Sequence, residues 1–239
     1  MFERGVAYAI NGLDTVAVVL TKNSWNNRML SVGAVPISPR QETSSPLALR
    51  IEQLHESVAD VTRLVVVGRE NLGRAEFVLD DEQMHAVERA LGDLIDSRRL
   101  LADSPRGNRP PPGAIDYPRW GEIYYRRGEQ FGGETKRYLV VSNDLWNQRK
   151  TTVLVARTTT QTKHPTEEFP LVQQGEAQVV CGELAAVAPH NLDLDQRPQG
   201  QIRLGLGDMA QVARGVTHTH LLRDHLDEFE PEVSSIEPL

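Results

Sequence analysis

Val19-Leu20-Thr21-Lys22-Asn23-Ser24-Trp25-Asn26-Asn27-Arg28 lies over Val140-Val141-Ser142-Asn143-Asp144-Leu145-Trp146-Asn147-Gln148-Arg149, and both blocks run on into a β-branched stretch. The chain therefore reads as a tandem repeat. Each copy also closes on a helix with the same apolar spacing, Met84, Val87 and Leu91 in the first and Met209, Val212 and Val216 in the second. Residues at i, i+3 and i+7 share one helical face. The repeated unit is a whole domain of roughly a hundred residues, well above the 20–50 residue period of solenoid repeats. Two copies of one fold in one chain imply a covalent pseudo-dimer, because fusion preserves a surface that was once self-complementary.

A chain of 239 residues suits two domains, each near the usual size of roughly 100–150 residues. An apolar fraction of 39% with 25% charged residues is that of a globular protein, not a disordered or fibrous one. No run approaches the ~18 consecutive apolar residues of a membrane span. Met1-Phe2-Glu3-Arg4-Gly5 lacks a signal-peptide pattern, and the single Cys181 excludes an intramolecular disulfide, so a reducing compartment, the cytoplasm, is expected. The net charge of −7 is unevenly spread, since residues 223–239 alone carry −5. Arg126, Arg127, Lys136, Arg137, Arg149, Lys150 and Arg157 instead cluster in the second half. That segment could meet a polyanion.

Along the first copy, Arg4 to Ile10 reads as a strand, and Asn11-Gly12 is a hairpin signal leading into Val16 to Leu20. Ser31 to Ile37, Leu64 to Val67 and Ala75 to Leu79 read as further strands, and the polar stretch from Pro39 to Pro46 as a loop. Asp80-Asp81 opens a helix reaching about Arg99, with carboxylates at its positive end. Ser104 to Gly113, with three consecutive prolines, reads as a stiff linker. In the second copy Trp120 to Tyr125, Tyr138 to Ser142, Thr152 to Thr158, Ala177 to Cys181 and Gln201 to Leu206 read as strands. A glycine-rich loop spans Gly128 to Gly133, and Asp208 starts the last helix. Short β-branched strands with one closing helix per copy predict an α+β, mainly β, small-barrel domain, present twice. The expected division is 1–102 and 118–223 for the domains, 103–117 for the linker and 224–239 for an acidic tail.

Three segments of the second copy carry a resemblance. Trp120-Gly121-Glu122-Ile123-Tyr124, Gly128-Glu129-Gln130-Phe131-Gly132-Gly133 and Lys136-Arg137-Tyr138-Leu139-Val140-Val141-Ser142-Asn143-Asp144 resemble motifs of the PemK/MazF family of toxin ribonucleases. These are its opening Gly-Asp/Glu-x-Tyr/Trp, its Gly-x-Glu-Gln-x-Gly loop and its Lys-Arg-Pro-x-x-Val-Val-Ser-Asn-Asp strand. Asn147, Thr159, Gln161 and Pro165-Thr166 continue the likeness, which covers about residues 119–222. The family shares its fold with the CcdB gyrase poisons, so the resemblance implies two tandem SH3-like barrels. The first copy has the strand, the Trp-Asn-x-Arg segment and Ala34-Val35-Pro36-Ile37-Ser38, but Asn11-Gly12 stands where the Gly-Glu-Gln loop would be. It has no basic residue between Asn11 and Leu20 and reads as a degenerate, non-catalytic partner.

The resemblance implies a toxin of a toxin–antitoxin system, an mRNA interferase that cleaves single-stranded RNA without metal or cofactor. The ribose 2′-hydroxyl attacks the adjacent phosphate and leaves 2′,3′-cyclic phosphate and 5′-hydroxyl ends. That chemistry needs donors at the phosphorane oxygens, a base for the 2′-hydroxyl and an acid for the leaving oxygen. The candidate cation is Arg137 or Lys136. Aligning from the strand side selects Lys136 and matching residue type selects Arg137; neighbours on a strand face opposite ways, so only one can face the site. Arg137 is preferred because a guanidinium fork matches phosphate geometry. Thr159 falls where the family places a phosphate-contacting hydroxyl, with Ser38 as its counterpart. Glu183 lies near a position where some members carry an aspartate that assists proton transfer, though a surface glutamate is the plainer reading. Arg157 replaces a family proline. Glu129, Gln130, Arg126, Arg127, Arg149 and Arg157 are candidate RNA contacts.

Elsewhere the plainer readings win. His218 and His220, two apart on a helix, point too far apart to share a metal, Cys181 reads as a buried small residue, and Trp25 and Trp146 as core. The competing functions are a non-enzymatic binding module for RNA, an antitoxin or another protein, and a regulatory or structural domain. The tail, with Asp227, Glu228, Glu230, Glu232 and Glu237 among Leu226, Phe229, Val233, Ile236 and Leu239, resembles antitoxin segments that occupy an RNA groove; a solubilising tail is the plainer reading. An antitoxin partner and an intrachain pseudo-dimer, monomeric in solution, complete the expectation.

Overall fold

The computed structural model describes residues 2–39, 45, 47–51, 54, 57–95, 117–131, 134–149, 151–160, 166, 168–172, 177–193 and 204–220. Within these, 126–131, 134–135, 149, 193 and 206 are described by backbone alone. The expected linker core and acidic tail lie outside the described residues, as do Gln161, Lys150 and most of the 40–46 loop.

The chain is mainly β, of the α+β class. In the first half β1 (Val6–Ile10), β2 (Val16–Val19), α1 (Asn23–Arg28), β3 (Ser31–Pro39), β4 (Ala48–Arg50), β5 (Ser57–Asp60), β6 (Val65–Gly68) and β7 (Leu72–Val78) lead into α2 (Asp81–Ile95). The second half follows with β8 (Ile123–Phe131), β9 (Glu134–Val140), α3 (Asp144–Arg149), β10 (Val153–Thr159), β11 (Leu171–Val172), β12 (Ala177–Val187), β13 (Leu192–Asp193) and α4 (Leu206–His220). One sheet runs β4-β5-β3-β2-β1-β7 with β6 also on β3, and the other β11-β12-β10-β9-β8-β13. The order is the same, with β12 standing where β5 and β6 stand.

The sequence repeat is also a repeat of hydrogen bonds. Asn26 Nδ2 donates to Thr21 O at 2.8 Å and Asn147 Nδ2 to Ser142 O at 2.9 Å, while the two hydroxyls bond back to the same asparagines. Trp25 Nε1 reaches Ser31 O and Trp146 Nε1 reaches Thr152 O, at 3.1 and 3.0 Å. Gly5 and Gly121 open β1 and β8 with φ +80° and +81°, and their amides donate to Val19 O and Val140 O. Only glycine holds that left-handed backbone without a Cβ clash.

Period-two alternation decides which face each strand buries. Leu139 and Val141 point into a core shared by both halves, with Leu20, Val35, Leu91, Leu94, Leu154 and Leu184. Tyr138 and Val140 point the other way, into a smaller cluster with Val153, Val155 and Val187. The helices close the shared core with the predicted residues, Met84, Val87 and Leu91 against Met209, Val212 and Val216. α2 begins as expected: Asp80 Oδ1 accepts from Gln83 N at 2.8 Å and Gln83 Oε1 from Asp80 N at 3.2 Å, a reciprocal cap.

Two readings need correction, and two features had no reading. The Trp-Asn-x-Arg blocks are helical turns, α1 and α3, too short for a helical period to register. Gly128 to Phe131 is not loop but the end of β8, paired at Gln130 with Thr135 and at Phe131 with Glu134. Leu206 belongs to α4 and not to a strand. The short β4 and β5 were not foreseen, because three or four residues carry too little alternation.

Candidate active site at the junction of the halves

The halves meet through bonds that recur in exchanged form. Lys22 N donates to Thr219 O at the end of α4, and Asn143 N to Leu94 O at the end of α2, both at 2.9 Å. Ala186 N donates to Leu64 O at 2.7 Å. Glu168 is buried against the first half, its Oε1 2.7 Å from Lys22 Nζ and its Oε2 paired with Arg28. Burial alone would raise this carboxyl, but the two cations hold it below the usual range. Trp25 stacks on Phe169 at 5.3 Å and 26°.

A cavity of about 490 Å³ opens at this junction. One wall comes from three neighbouring strands of the second half: Lys136 and Tyr138 on β9, Arg157 on β10, and Glu183, Ala185 and Ala186 on β12. The other wall comes from the first half, Ser31 and Leu64 to Val66. The register explains the convergence. Tyr138 lies directly across from Arg157, and Leu184 across from Ala156, so Glu183 comes beside Arg157. Arg157 Nε stands 2.5 Å from Glu183 Oε2, and its Nη2 donates to Oε1 at 3.2 Å. Ser31 Oγ donates to the same Oε1 at 3.0 Å. Two cations and one carboxylate therefore share a partly apolar cavity.

Of the expected site residues, Lys136, Arg157 and Glu183 are brought together. Arg137, preferred from residue type, is placed elsewhere: its guanidinium lies 5.6 Å over the Tyr125 ring, and it is not among the described residues of the cavity lining. Strand alternation separates it from Lys136. Thr159 is also outside that lining; its strand shifts register between Ala156 and Thr158, beyond which it pairs with Gln178. Arg126, Glu129 and Gln130 lie on β8, Arg127 with them, and Arg149 ends α3; their side chains are outside what is described. In the first half, Ser38 accepts from Arg63 Nη1 at 2.7 Å, and Pro36 holds the place of Arg157. Ser31, Tyr138 and the Leu64–Val66 wall were missed. For Ser31 a signal existed, since it follows Trp25 at the spacing by which Thr152 follows Trp146.

The plainer reading of Cys181 agrees with the geometry. Cys181 is fully buried, and burial pushes its thiol up. His220 is buried with Nδ1 3.1 Å from Val216 O. No group of three His, Cys, Asp or Glu suited to a metal occurs among the described residues, and no described helix is long and apolar enough to cross a membrane. Trp25 is fully buried and Trp146 partly so.

Residues 9–95 match the profile of a known family, the PemK-like, MazF-like toxins of type II toxin–antitoxin systems. Over these residues the chain is similar to that toxin family. The match falls on the copy read as degenerate, which keeps the Val35-Pro36-Ile37-Ser38 strand where the second copy carries Arg157. Among solved structures, an endoribonuclease in complex with its cognate antitoxin from a mycobacterial species is 17% identical, over 43% of this chain and 93% of that one, with a TM-score of 0.35. Mycobacterium tuberculosis toxin MazF-mt6 is 19% identical over 38% and 94%, at 0.34. MazE-MazF from Deinococcus radiodurans is 15% identical over 43% and 94%, also at 0.34. No curated protein sequence matches the chain.

Proposed function

We propose that this chain is a toxin endoribonuclease built as an intrachain pseudo-dimer, with domains at 1–102 and 118–223 and one working site, the junction cavity. The observation that carries the reading is the convergence of Lys136, Arg157 and Glu183 from three adjacent strands against a wall from the other half. Single-stranded RNA is the substrate. The Lys136 ammonium faces a phosphate oxygen, where charge grows as the phosphorane forms. Glu183 accepts the 2′-hydroxyl proton, the O2′–P bond forms, the P–O5′ bond breaks, and a water protonates O5′. The step needs no metal and leaves a 2′,3′-cyclic phosphate and a 5′-hydroxyl. Arg126, Arg127, Glu129, Gln130 and Arg149 would contact the flanking RNA. The similarity to the toxin family supports an antitoxin as protein partner and the cytoplasm as location.

The site has no equal in the first half. Thr15, Pro36 and Arg63 hold the places of Lys136, Arg157 and Glu183, which removes both the cation at the strand start and the carboxylate.

The test incubates the full chain with a long RNA in EDTA and maps the ends. Cleavage with 5′-hydroxyl ends is expected. Lys136→Ala should slow it at least about a hundredfold, as for loss of a transition-state charge contact, and Arg137→Ala by much less. Products with 5′-phosphate, or cleavage abolished by the chelator, would overturn the mechanism. A second reading, a non-enzymatic binding module, is favoured by Arg157 committing its guanidinium to Glu183. RNA binding without cleavage would select it.

A further inference from the structure

The hydroxyl that opens the strand after each Trp-containing turn crosses to the opposite half. At one end, Thr152 Oγ1 donates to the backbone carbonyl of Thr62 at 3.2 Å, a purely structural bond. At the other end, Ser31 Oγ donates instead to a side chain, Glu183 Oε1, at 3.0 Å. The backbone of Ser31 is itself held, its carbonyl receiving Trp25 Nε1 at 3.1 Å. The hydroxyl is therefore presented from a fixed point, since Trp25 is fully buried between the halves. Glu183 thus has partners from both halves, Arg157 at both carboxylate oxygens and Ser31 at Oε1.

We propose that Ser31 is a positioning residue, supplied by the non-catalytic half, that holds the Glu183 carboxylate in the orientation for proton transfer. The inference rests on the functional reading above and gives the first half a specific duty in the site. Arg157 meets both carboxylate oxygens, closely at Oε2 (2.5 Å) and more loosely at Oε1 (3.2 Å), and the last torsion of glutamate is broad and roughly two-fold. The Ser31 hydroxyl adds a second anchor at the looser oxygen from the opposite wall, which narrows that torsion.

The test compares Ser31→Ala, Ser31→Thr, Glu183→Gln and Lys136→Ala in the full chain, with kcat and KM measured for a single-stranded RNA. Ser31→Ala should lower kcat on the order of tenfold, the worth of one hydrogen bond to a charged group, with KM changed less than about twofold. Ser31→Thr should restore kcat. Glu183→Gln should lower kcat further. An Ala variant with native kcat overturns the positioning duty, and the functional reading stands if Lys136→Ala is still impaired. A loss in Ser31→Ala that appears only in KM, or that threonine does not restore, overturns it too. Native rates in both Lys136→Ala and Glu183→Gln, or no cleavage by the unchanged chain, remove the functional reading and this inference together.

Discussion

His220 ends the last described helix inside the junction, where Arg4 Nη2 donates to its carbonyl at 2.6 Å and also to Glu88 Oε1 at 2.6 Å. The ring is fully buried, and its Nε2 has no partner; a Cβ on Gly33 would come within 3.2 Å of that nitrogen. Burial, aided by the Arg4 charge and opposed by the Val216 carbonyl, draws the imidazole down from 6.5 to about 4. Between those values the unfolded chain takes up a proton that the folded chain refuses. The contribution is thus complete above pH 6.5 and lost as the pH falls toward 4, on the order of 2–3 kcal/mol at pH 4.5. Urea titrations at pH 7 and 4.5 should show His220→Leu losing less stability on acidification than the native chain, by about that amount. Equal acid sensitivity would remove the argument. The same residue shows what was legible at this scale: the sequence placed His218 and His220 on different sides of one helix, while the burial of His220 and its surroundings were decided by tertiary packing.

Strand parity is the element-scale fact behind the site. Alternation was readable for β9, yet the choice between Lys136 and Arg137 was not, because parity only separates the two and the tertiary neighbour decides which side is the cavity. β12 carries a second constraint at Gly182. A Cβ there would fall far inside van der Waals contact of Trp25 Cε2 and Cζ2, and Trp25 cannot retreat, being bonded to Ser31 O and stacked on Phe169. Gly182→Ala should therefore cost about 1–3 kcal/mol or more by overpacking, read as a lower denaturation midpoint with a changed tryptophan emission. An unchanged midpoint would mean the ring has room to move. The helices α2 and α4 were legible from their apolar spacing, and α2 from its cap. The six-residue α1 and α3 were not, since less than two turns gives no periodicity to read.

At the scale of the whole molecule the halves share one core, in which Leu20, Leu64 and Leu94 meet Leu139, Leu184 and Val216. The bonds at Lys22 and Asn143 join the halves, and in the pseudo-dimer proposed above they satisfy the self-complementary contact within one chain. Light scattering at micromolar concentration should accordingly give the mass of one chain, 26.7 kDa, and a clean value of twice that would count against an intrachain pair. What the sequence determined by itself was local or repetitive: the α+β class, the closing helices, the turn residues and the repeated Trp-Asn-x-Arg block, because each rests on neighbours within a few positions or on a comparison of the chain with itself. The cavity was decided only by the tertiary structure. Ser31, Val66, Lys136, Arg157 and Glu183 are separated by up to 152 residues, and burial of the common face is what brings them within reach of one another.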